Sequence, residues 1–443
     1  MDYIQVFDTL HSRNYNRSMK QLITGILSLL ISSSYFAQSI DYAGEVQGTS
    51  LEDRVYANNV KTVTLKPTHN QYAPPMIKLN SNEKLRLDFD LLYDDYRYLN
   101  YTLIHCNSDW TTSDLLKSQF VDGFQEYLIE DFEYSINAYV PFTHYTVTIP
   151  NINMQMKLSG NYVLLVYEDD ISNPILTKRF VIYEEIVNVQ ASIDRANYLD
   201  YRFTHQEVDF TINHPGYEIP DPYNDLYVSI LQNYNWNKGI YNLKPRFASN
   251  YQLDYNYDYE NAFSGGNEFR MFDSKDMRAK TLEIQKVVLD TNYEVYLSTD
   301  YQRGIGKYSY LDDINGRFLI RKLDRDPTTE ADYIWVDFYL DAPTPITEGD
   351  VYVNGAFCDW RPTPETKMEY DPVKKAYRKK ILLKQGYYNY QYIVLTPENR
   401  IDESIIEGSF WETDNEYLIL VYHREIGLRY DRVVGMLQVN FRL

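Results

Sequence analysis

The chain has 443 residues, with 63 acidic against 43 basic residues and a formal net charge of −20. So acidic a surface repels phosphate backbones, which makes nucleic acid a poor partner. The 45 Tyr, 19 Phe and 5 Trp suit half-buried pleated sheets better than helices.

The first predicted element is a secretory signal peptide over residues 1–37. Arg17 and Lys20 precede an apolar run at 22–31, and small residues follow up to Ala37. This is the charged start, apolar core and small-residue exit of an exported protein. The apolar run is about half of the roughly 20 residues that a transmembrane helix needs, so we expect export rather than a membrane anchor.

The mature chain is expected to begin at Gln38. Met19 is an alternative start codon, because the residues before it are polar and lengthen the charged region. No later segment is apolar enough to span a membrane, so we predict a periplasmic protein without direct membrane insertion. A chain of roughly 400 residues is expected to divide into about three domains.

Strand patterns follow along almost the whole mature chain, bounded by Asn, Asp, Gly and Pro. They fall into three groups, so we predict an all-β protein of three consecutive β-sandwich domains at 38–186, 187–328 and 329–443. The charged stretch 321–330 marks the second boundary, whereas strand count alone suggests the first. The predicted strands are 60–66, 85–91, 98–106, 145–149, 162–167 and 179–183, then 187–191, 208–212, 226–232, 281–289 and 293–297, and further strands from 333 onward.

A Tyr-rich segment at 233–270 interrupts the strands of the middle domain. Irregular segments of this length are usually functional or disordered, and the aromatic content argues against disorder. Because aromatic rings often dominate the binding energy of protein interfaces, we predict that Trp236, Tyr255, Tyr257 and Phe263 contact a partner. The alternative is that these rings only cover the edge of the sandwich.

Catalytic and metal-binding patterns do not stand out in the sequence. The His residues are scattered, and neither a Gly-X-Ser-X-Gly nor an HExxH pattern occurs. Asp402, Glu403 and Glu407 could serve as paired carboxylates or as calcium ligands, but solvation of turns is the ordinary explanation. We therefore expect no enzyme, no cofactor and no metal site.

The two cysteines, Cys106 and Cys358, lie far apart in the sequence. An oxidising compartment allows a disulfide between them. We favour two buried free thiols over such an interdomain disulfide.

The C-terminal domain contains a turn of the form Gly-Xaa-Phe-Xaa-Xaa-Trp, from Gly355 to Trp360, between a strand and a closing hairpin. This part of the chain resembles the early-set immunoglobulin-like modules that accompany glycogen-active enzymes. In sugar-binding members exposed rings stack on glucose, a role that Trp360 and Trp411 would take here. In the structural alternative, Phe357 packs inward and Trp360 caps it. Since fold does not imply function, a periplasmic carbohydrate-binding module is the alternative function.

Short signatures in a fixed order run over nearly the whole mature chain and together resemble the type IX secretion system plug proteins of Bacteroidetes. The resemblance rests on the number of these signatures and on their order along the chain, which are hard to obtain by chance. They are His-Cys-Asn-Ser-Asp-Trp at 105–110, Phe-Val-Asp-Gly-Phe at 120–124, Pro-Phe-Thr-His-Tyr at 141–145, Asp-Pro-Tyr-Asn-Asp at 221–225, Gly-Gly-Asn-Glu-Phe at 265–269, Gly-Ser-Phe-Trp-Glu-Thr-Asp-Asn-Glu-Tyr at 408–417 and Arg-Tyr-Asp-Arg at 429–432.

The resemblance implies a non-enzymatic periplasmic protein at the inner face of the outer membrane. Its implied partner is the very large outer-membrane translocon barrel through which folded cargo leaves the cell. The implied role is to close the periplasmic opening of that barrel while no cargo shuttle is bound. Such a plug needs width, rigidity and a matching surface, but no cofactor and no catalytic group.

Overall fold

Antiparallel β-sheets make up most of the computed structural model, which describes residues 50–93, 95–279, 281–304 and 306–443. The predicted signal peptide lies outside the described residues, as does the alternative start at Met19. The aromatic and β-branched residues occupy strands, so the predicted all-β class is confirmed. No helix in the described part of the chain is long and apolar enough to cross a membrane.

The first sandwich begins near residue 54 and ends near residue 183. In chain order its strands β1 to β12 are Arg54–Val55, Val60–Pro67, Met76–Lys78, Leu85–Leu92, Leu99–Cys106, Val121–Gly123, Glu126–Leu128, Asp131–Tyr134, Phe142–Ile149, Met154–Met156, Gly160–Glu168 and Pro174–Tyr183, with helix α1 at Lys117–Phe120. One sheet has the order β1-β12-β11-β5-β7 with β3 beside β12, and the other has β2-β4-β9-β8. Phe89, Tyr145 and Tyr162 belong to the core that both sheets share.

The middle sandwich starts directly after the first. Its strands β13 to β19 are Asn188–Arg195, His205–Asn213, Leu226–Gln232, Gly239–Leu243, Phe247–Ser249, Gln252–Asp254 and Ala262–Ser264, with a 3₁₀ turn at Trp236–Lys238. One sheet has the order β13-β14-β18-β17, with β19 also beside β14. The segment at 233–270, predicted to be irregular, therefore contains a 3₁₀ turn and short strands.

The third sandwich follows from residue 270. Its strands β20 to β29 are Arg270–Asp273, Ile284–Leu289, Tyr293–Leu297, Phe318–Ile320, Tyr333–Asp341, Asp350–Asn354, Glu369–Asp371, Ala376–Lys384, Gly386–Leu395 and Ile401–Asp402, with helix α2 at Pro327–Glu330 and helix α3 at Ser404–Glu407. One sheet is centred on the long strand β28, and the other has the order β21-β22-β24-β27-β26. The early-set immunoglobulin-like assignment of its C-terminal part stays a prediction.

The last two strands, β30 at Asn415–His423 and β31 at Arg432–Phe441, return to the middle sandwich. There they complete a sheet of order β16-β15-β30-β31. The third sandwich is thus inserted into the middle one, which differs from a strictly consecutive order. The predicted boundary at 328/329 lies within one sheet, because β22 and β24 on either side of it pair in parallel. A strand pattern shows which residues face a core, but not which distant strand lies alongside.

Candidate interaction surface

Trp236, the first of the four predicted contact residues, lies at a junction inside the chain. The 3₁₀ turn that contains it is capped by the side chain of Asn235, which accepts a hydrogen bond from the backbone of Asn237. The Trp236 ring meets the edge of Trp110 from the first sandwich at a centroid distance of 4.7 Å. Trp236 is therefore half-buried and joins two sandwiches.

Tyr255 and Phe263, the second and fourth predicted contacts, are core residues of the middle sandwich. Tyr255 is fully buried and stacks on Phe210 at 4.4 Å. Phe263 is also buried and meets Tyr417 edge to face at 5.3 Å. Neither side chain presents a surface to a partner in this structure. Strand alternation could have indicated this for Tyr255, since it stands two residues from Leu253 and shares its inward face.

We expect Phe263→Ala to lower the free energy of unfolding by about 3 to 5 kcal/mol, because it leaves a cavity in the core. Chemical denaturation followed by tryptophan fluorescence measures this change. Phe247→Ala, at an exposed Phe of the same sandwich, is the control and should change stability by less than about 0.5 kcal/mol. Equal stability of the Phe263 variant and the parent would contradict the core assignment.

Other aromatic residues of the middle sandwich are exposed. Phe247, Tyr251 and Tyr259 come from the same Tyr-rich segment and are 65%, 54% and 53% exposed. Phe247 lies on β17, the edge strand of its sheet. Tyr257, the third predicted contact, is only half-buried, and its hydroxyl donates to the carbonyl of Lys244. The segment therefore does present aromatic surface, largely through residues that the sequence did not single out.

A buried ion pair joins the first and third sandwiches. Lys384 Nζ lies 2.7 Å from Asp90 Oδ2, and the two side chains are 2% and 1% exposed. Tyr333 donates its hydroxyl to the same carboxylate at 2.7 Å, and His144 Nδ1 lies 2.7 Å from its other oxygen. Burial disfavours the charged form of His144, but hydrogen bonds to Asp88 and Asp90 outweigh it and raise its pKa.

A second buried carboxylate, Glu407, lies beside the junction of the middle and third sandwiches. Arg270 and Arg303 donate to it at 3.0 and 2.7 Å, and the backbone N–H of Tyr392 donates at 2.8 Å. Burial alone would raise the pKa of Glu407, but the two guanidinium groups lower it. The carboxylate is thus satisfied by protein donors.

Asp402 and Glu403, the other two candidate carboxylates, have separate partners. Glu403 forms an ion pair with Lys238 of the middle sandwich. Asp402 accepts a hydrogen bond from the backbone of Ser404 at 2.8 Å. The three acidic residues therefore do not form a common site.

The first and middle sandwiches meet through a mixed junction. The hydroxyl of Tyr422 donates to Asn161 at 2.9 Å, and the carboxylate of Asp431 accepts from the backbone of Ser108 at 2.8 Å. Apolar side chains from both sandwiches pack around these bonds, namely Met76, Val181, Leu231, Leu418, Leu420, Tyr422 and Val433. Tyr422 and Asp431 are thus buried and hydrogen-bonded at this junction.

Signature motifs distant in sequence meet at these junctions. The signatures at 105–110 and 429–432 meet through the bond from Ser108 to Asp431. Those at 265–269 and 408–417 are joined by the bond from the Thr413 hydroxyl to the Gly266 carbonyl at 3.0 Å. These bonds hold the sandwiches and their loops together.

The two tryptophans of the carbohydrate-binding alternative are half-buried. Trp360 meets Phe269 at 5.7 Å, and Gly316 makes room for it, since a Cβ there would lie 2.1 Å from the ring. The guanidinium carbon of Arg195 lies over the Trp411 ring, 5.2 Å from the ring centroid. Both rings thus have contacts within the protein, and neither is presented as an open stacking platform.

Reactive side chains are few in the described part of the chain. Cys106 and Cys358 are free thiols, and burial raises the pKa of each to about 12, which keeps them protonated and unreactive. Burial lowers the pKa of His105 to about 4. Among the described residues, no group of three His, Cys, Asp or Glu is placed to hold a metal ion.

Comparison with known families identifies the chain. A family model described as the first domain of the type 9 secretion system plug protein matches residues 60–184, which is most of the first sandwich. The chain belongs to the type 9 secretion system plug protein family. The family suggested by the sequence signatures is confirmed. It is a family of secretion-system plug domains rather than of enzymes.

Solved structures extend the similarity beyond the first plug domain. A crystal structure of a hypothetical protein from Parabacteroides merdae ATCC 43184 has 35% identity and a TM-score of 0.85, and the match covers 89% of this chain and 100% of that one. The C-terminal domain of the antigen I/II-family protein AspA from Streptococcus pyogenes reaches a TM-score of only 0.17 at 8% identity, over 86% of this chain and 99% of that one, which supports no argument. A search of curated proteins gave no match.

Proposed function

We propose that this protein is a steric plug. It binds the periplasmic opening of the outer-membrane translocon of type IX secretion and closes it while no cargo shuttle is bound. Membership of the plug family supports the association with secretion components. The signal-peptide pattern at 1–37 supports a periplasmic location, peripheral to the inner face of the outer membrane.

The observation that carries the proposal is the pairing of buried polar groups at the sandwich junctions. Asp90 and Lys384 connect the first sandwich to the third, and Tyr422 and Asn161 connect the middle one to the first. Buried charges and hydrogen bonds are costly to separate, because each partner left alone stays desolvated. Buried contacts of this kind restrict movement between the three sandwiches. A protein that closes a wide opening by steric means needs such rigidity between its domains.

The exposed aromatics of the middle sandwich are the proposed contact residues. Phe247, Tyr251 and Tyr259 offer rigid apolar area, which is typical of residues that dominate protein interfaces. Trp236 and Tyr257 are half-buried, so they contribute only through their exposed edges. The net charge of −20 disfavours contact with anionic lipid head groups and directs binding to protein.

The test is recovery of the translocon with a tagged chain from its own outer membranes. The parent should recover a barrel of unusually large mass. The variant Phe247→Ala/Tyr251→Ala/Tyr259→Ala should bind roughly a hundredfold more weakly if two of the rings are central and each contributes about 1.4 kcal/mol.

A matched variant controls for loss of exposed aromatic surface in general. Tyr93→Ala/Tyr98→Ala/Tyr134→Ala removes three tyrosines of similar exposure from the first sandwich and should leave recovery unchanged. Loss of recovery in this control alone would move the contact face to the first sandwich. Failure of the parent to recover any barrel would contradict the plug function.

A further inference from the structure

A cleft of about 440 Å³ opens where the three sandwiches meet. Lys66 and Lys178 line it from the first sandwich, Trp236 from the middle one, and Arg317 and Trp360 from the third. Three prolines and two tryptophans are among the residues that line it. The exposed aromatics Phe247, Tyr251 and Tyr259 do not line this cleft, whereas the half-buried Trp236 does.

The charge of the cleft is opposite to that of the whole protein. Basic side chains outnumber acidic ones on its wall, although the chain carries a net charge of −20. The basic residues are Lys66, Lys178, Arg179, Arg317 and Arg361, and the acidic residues are Glu52, Asp53 and Asp359. Low-dielectric walls concentrate such a field, so the cleft attracts anions.

Two cations in this cleft, Lys66 and Arg179, have no carboxylate within ion-pair distance among the described residues, and Lys66 is the less engaged of the two. Its ammonium donates only to the carbonyl of Phe318, at 3.3 Å. By contrast, Lys178 pairs with Asp359, and both terminal nitrogens of Arg317 bind the carboxylate of Glu416.

The other two cations are also engaged by the protein. Arg361 pairs with Glu52 at 2.5 Å. The guanidinium of Arg179 donates to the carbonyl of Leu51 at 2.7 Å and lies 4.3 Å from the ring centroid of Trp110. Lys66 therefore remains as the group that an incoming anion would neutralise.

The environment of Lys66 supports this reading. Burial lowers its pKa to about 8, Asp88 acts in the opposite direction, and the nearby Arg317 and Lys178 lower it further. A half-buried cation close to two other cations is stabilised by any anion that enters. The remaining charged groups that face the cleft are Glu52, Asp53, Arg179, Asp359 and Arg361.

We propose that this cleft binds a carboxylate of a polypeptide, with Lys66 as its counter-ion and Trp236 and Trp360 as its walls. A single lysine is a point charge suited to a monoanion, whereas phosphate recognition favours free guanidinium groups. The guanidinium groups of Arg317 and Arg361 are occupied by carboxylates. That of Arg179 is engaged by the Leu51 carbonyl and the Trp110 ring. Pro74, Pro75 and Pro362 on the wall offer apolar surface for a side chain that flanks the carboxylate.

The experiment titrates the mature protein with N-acetyl-Ala-Leu-Phe, its C-terminal amide, an acetylated peptide amide with one internal Glu, and glucuronic acid. We expect a carboxylate peptide to bind at least tenfold more tightly than the uncharged amide at pH 7. Preference for the free C-terminus or for the internal Glu identifies the source of the carboxylate. Equal binding of acid and amide, tighter binding of glucuronic acid, or no binding of any probe would overturn the proposal.

Substitutions distinguish the contribution of Lys66 to binding from that of other surface lysines. Lys66→Met should weaken carboxylate binding at least tenfold, whereas Lys66→Arg should retain it. Lys78→Met, at an exposed lysine paired with Glu185, should bind as the parent does. Unchanged affinity of a folded Lys66→Met variant would overturn the role of Lys66.

A measurement on the parent keeps the test decisive if Lys66→Met does not fold. Because the ammonium has a pKa of about 8, it loses its charge as the pH rises, so affinity should fall roughly tenfold between pH 7 and pH 9.5. An affinity independent of pH over this range would contradict the proposal. Binding to purified protein does not depend on the translocon, so the outcome is distinct from that of the plug test.

Discussion

Replacing Lys384 with Met is expected to lower the free energy of unfolding by about 3 to 5 kcal/mol, because it leaves the carboxylate of Asp90 buried without its cation. The two groups lie 2.7 Å apart. Burial lowers the pKa of Lys384 even though Asp90 opposes this, which shows how strongly the site is shielded from water. Tyr333 would still donate to the carboxylate, and His144, whose pKa is raised by Asp88 and Asp90, would compensate part of its charge. Neither replaces the ammonium group of Lys384. Chemical denaturation of parent and variant measures the difference.

The matched control is Lys61→Met. Lys61 of the first sandwich pairs with Glu365 of the third at 2.8 Å, where Glu365 is 60% exposed. It therefore bridges the same two sandwiches at the surface and should contribute less than about 1 kcal/mol. Equal effects of the two substitutions would show that the buried pair does not hold this junction together.

Replacing Glu407 with Gln is expected to have a similarly large effect, again about 3 to 5 kcal/mol. The carboxylate neutralises Arg270, which is itself buried, and Arg303, which is partly so. The amide of Gln has the shape of the carboxylate but no negative charge to compensate the two guanidinium groups. Its NH₂ group would also point at the N–H donors that now bind the carboxylate. Arg270 also pairs with Asp300 at 2.7 Å, so part of its charge remains compensated.

The comparison for Glu407 is Asp350→Asn in the same sandwich. Asp350 pairs with Lys367 at 2.6 Å on the surface, where both side chains are about half exposed. Replacing Asp350 with Asn should therefore cause only a small change in the midpoint of chemical unfolding. A Glu407→Gln variant as stable as the Asp350→Asn variant would contradict the view that buried charge stabilises this region.

The strands were the most predictable part of the fold. The strand predicted at 226–232 is observed as β15 with the same bounds. The strand predicted at 60–66 is observed as β2, which is one residue longer at its C-terminal end. Local alternation is sufficient for this, because each strand must direct one face to a core. The partner of β15 could not be predicted, since β30 reaches it only after the whole third sandwich has intervened.

The interaction surface was less predictable than the strands. Tyr255 and Phe263 were chosen for residue type within a Tyr-rich segment, but a Tyr-rich core and a Tyr-rich surface have the same composition. The burial of Tyr255 against Phe210 depends on how β18 pairs with β14. The signatures were more informative than composition, because they include residues that make contacts at the junctions. The carboxylate of Asp431, which accepts from the backbone of Ser108, is one example.

Permeability of the outer membrane tests the proposed closure of the translocon most directly. Influx of a large glycopeptide antibiotic should be measured in a deletion strain, in its parent and in the deletion strain complemented with the intact gene. We expect deletion to make the membrane leaky while secretion continues, because a plug supplies no driving force. Complementation should restore the barrier. A deletion strain as impermeable as its parent would contradict the proposed plug function.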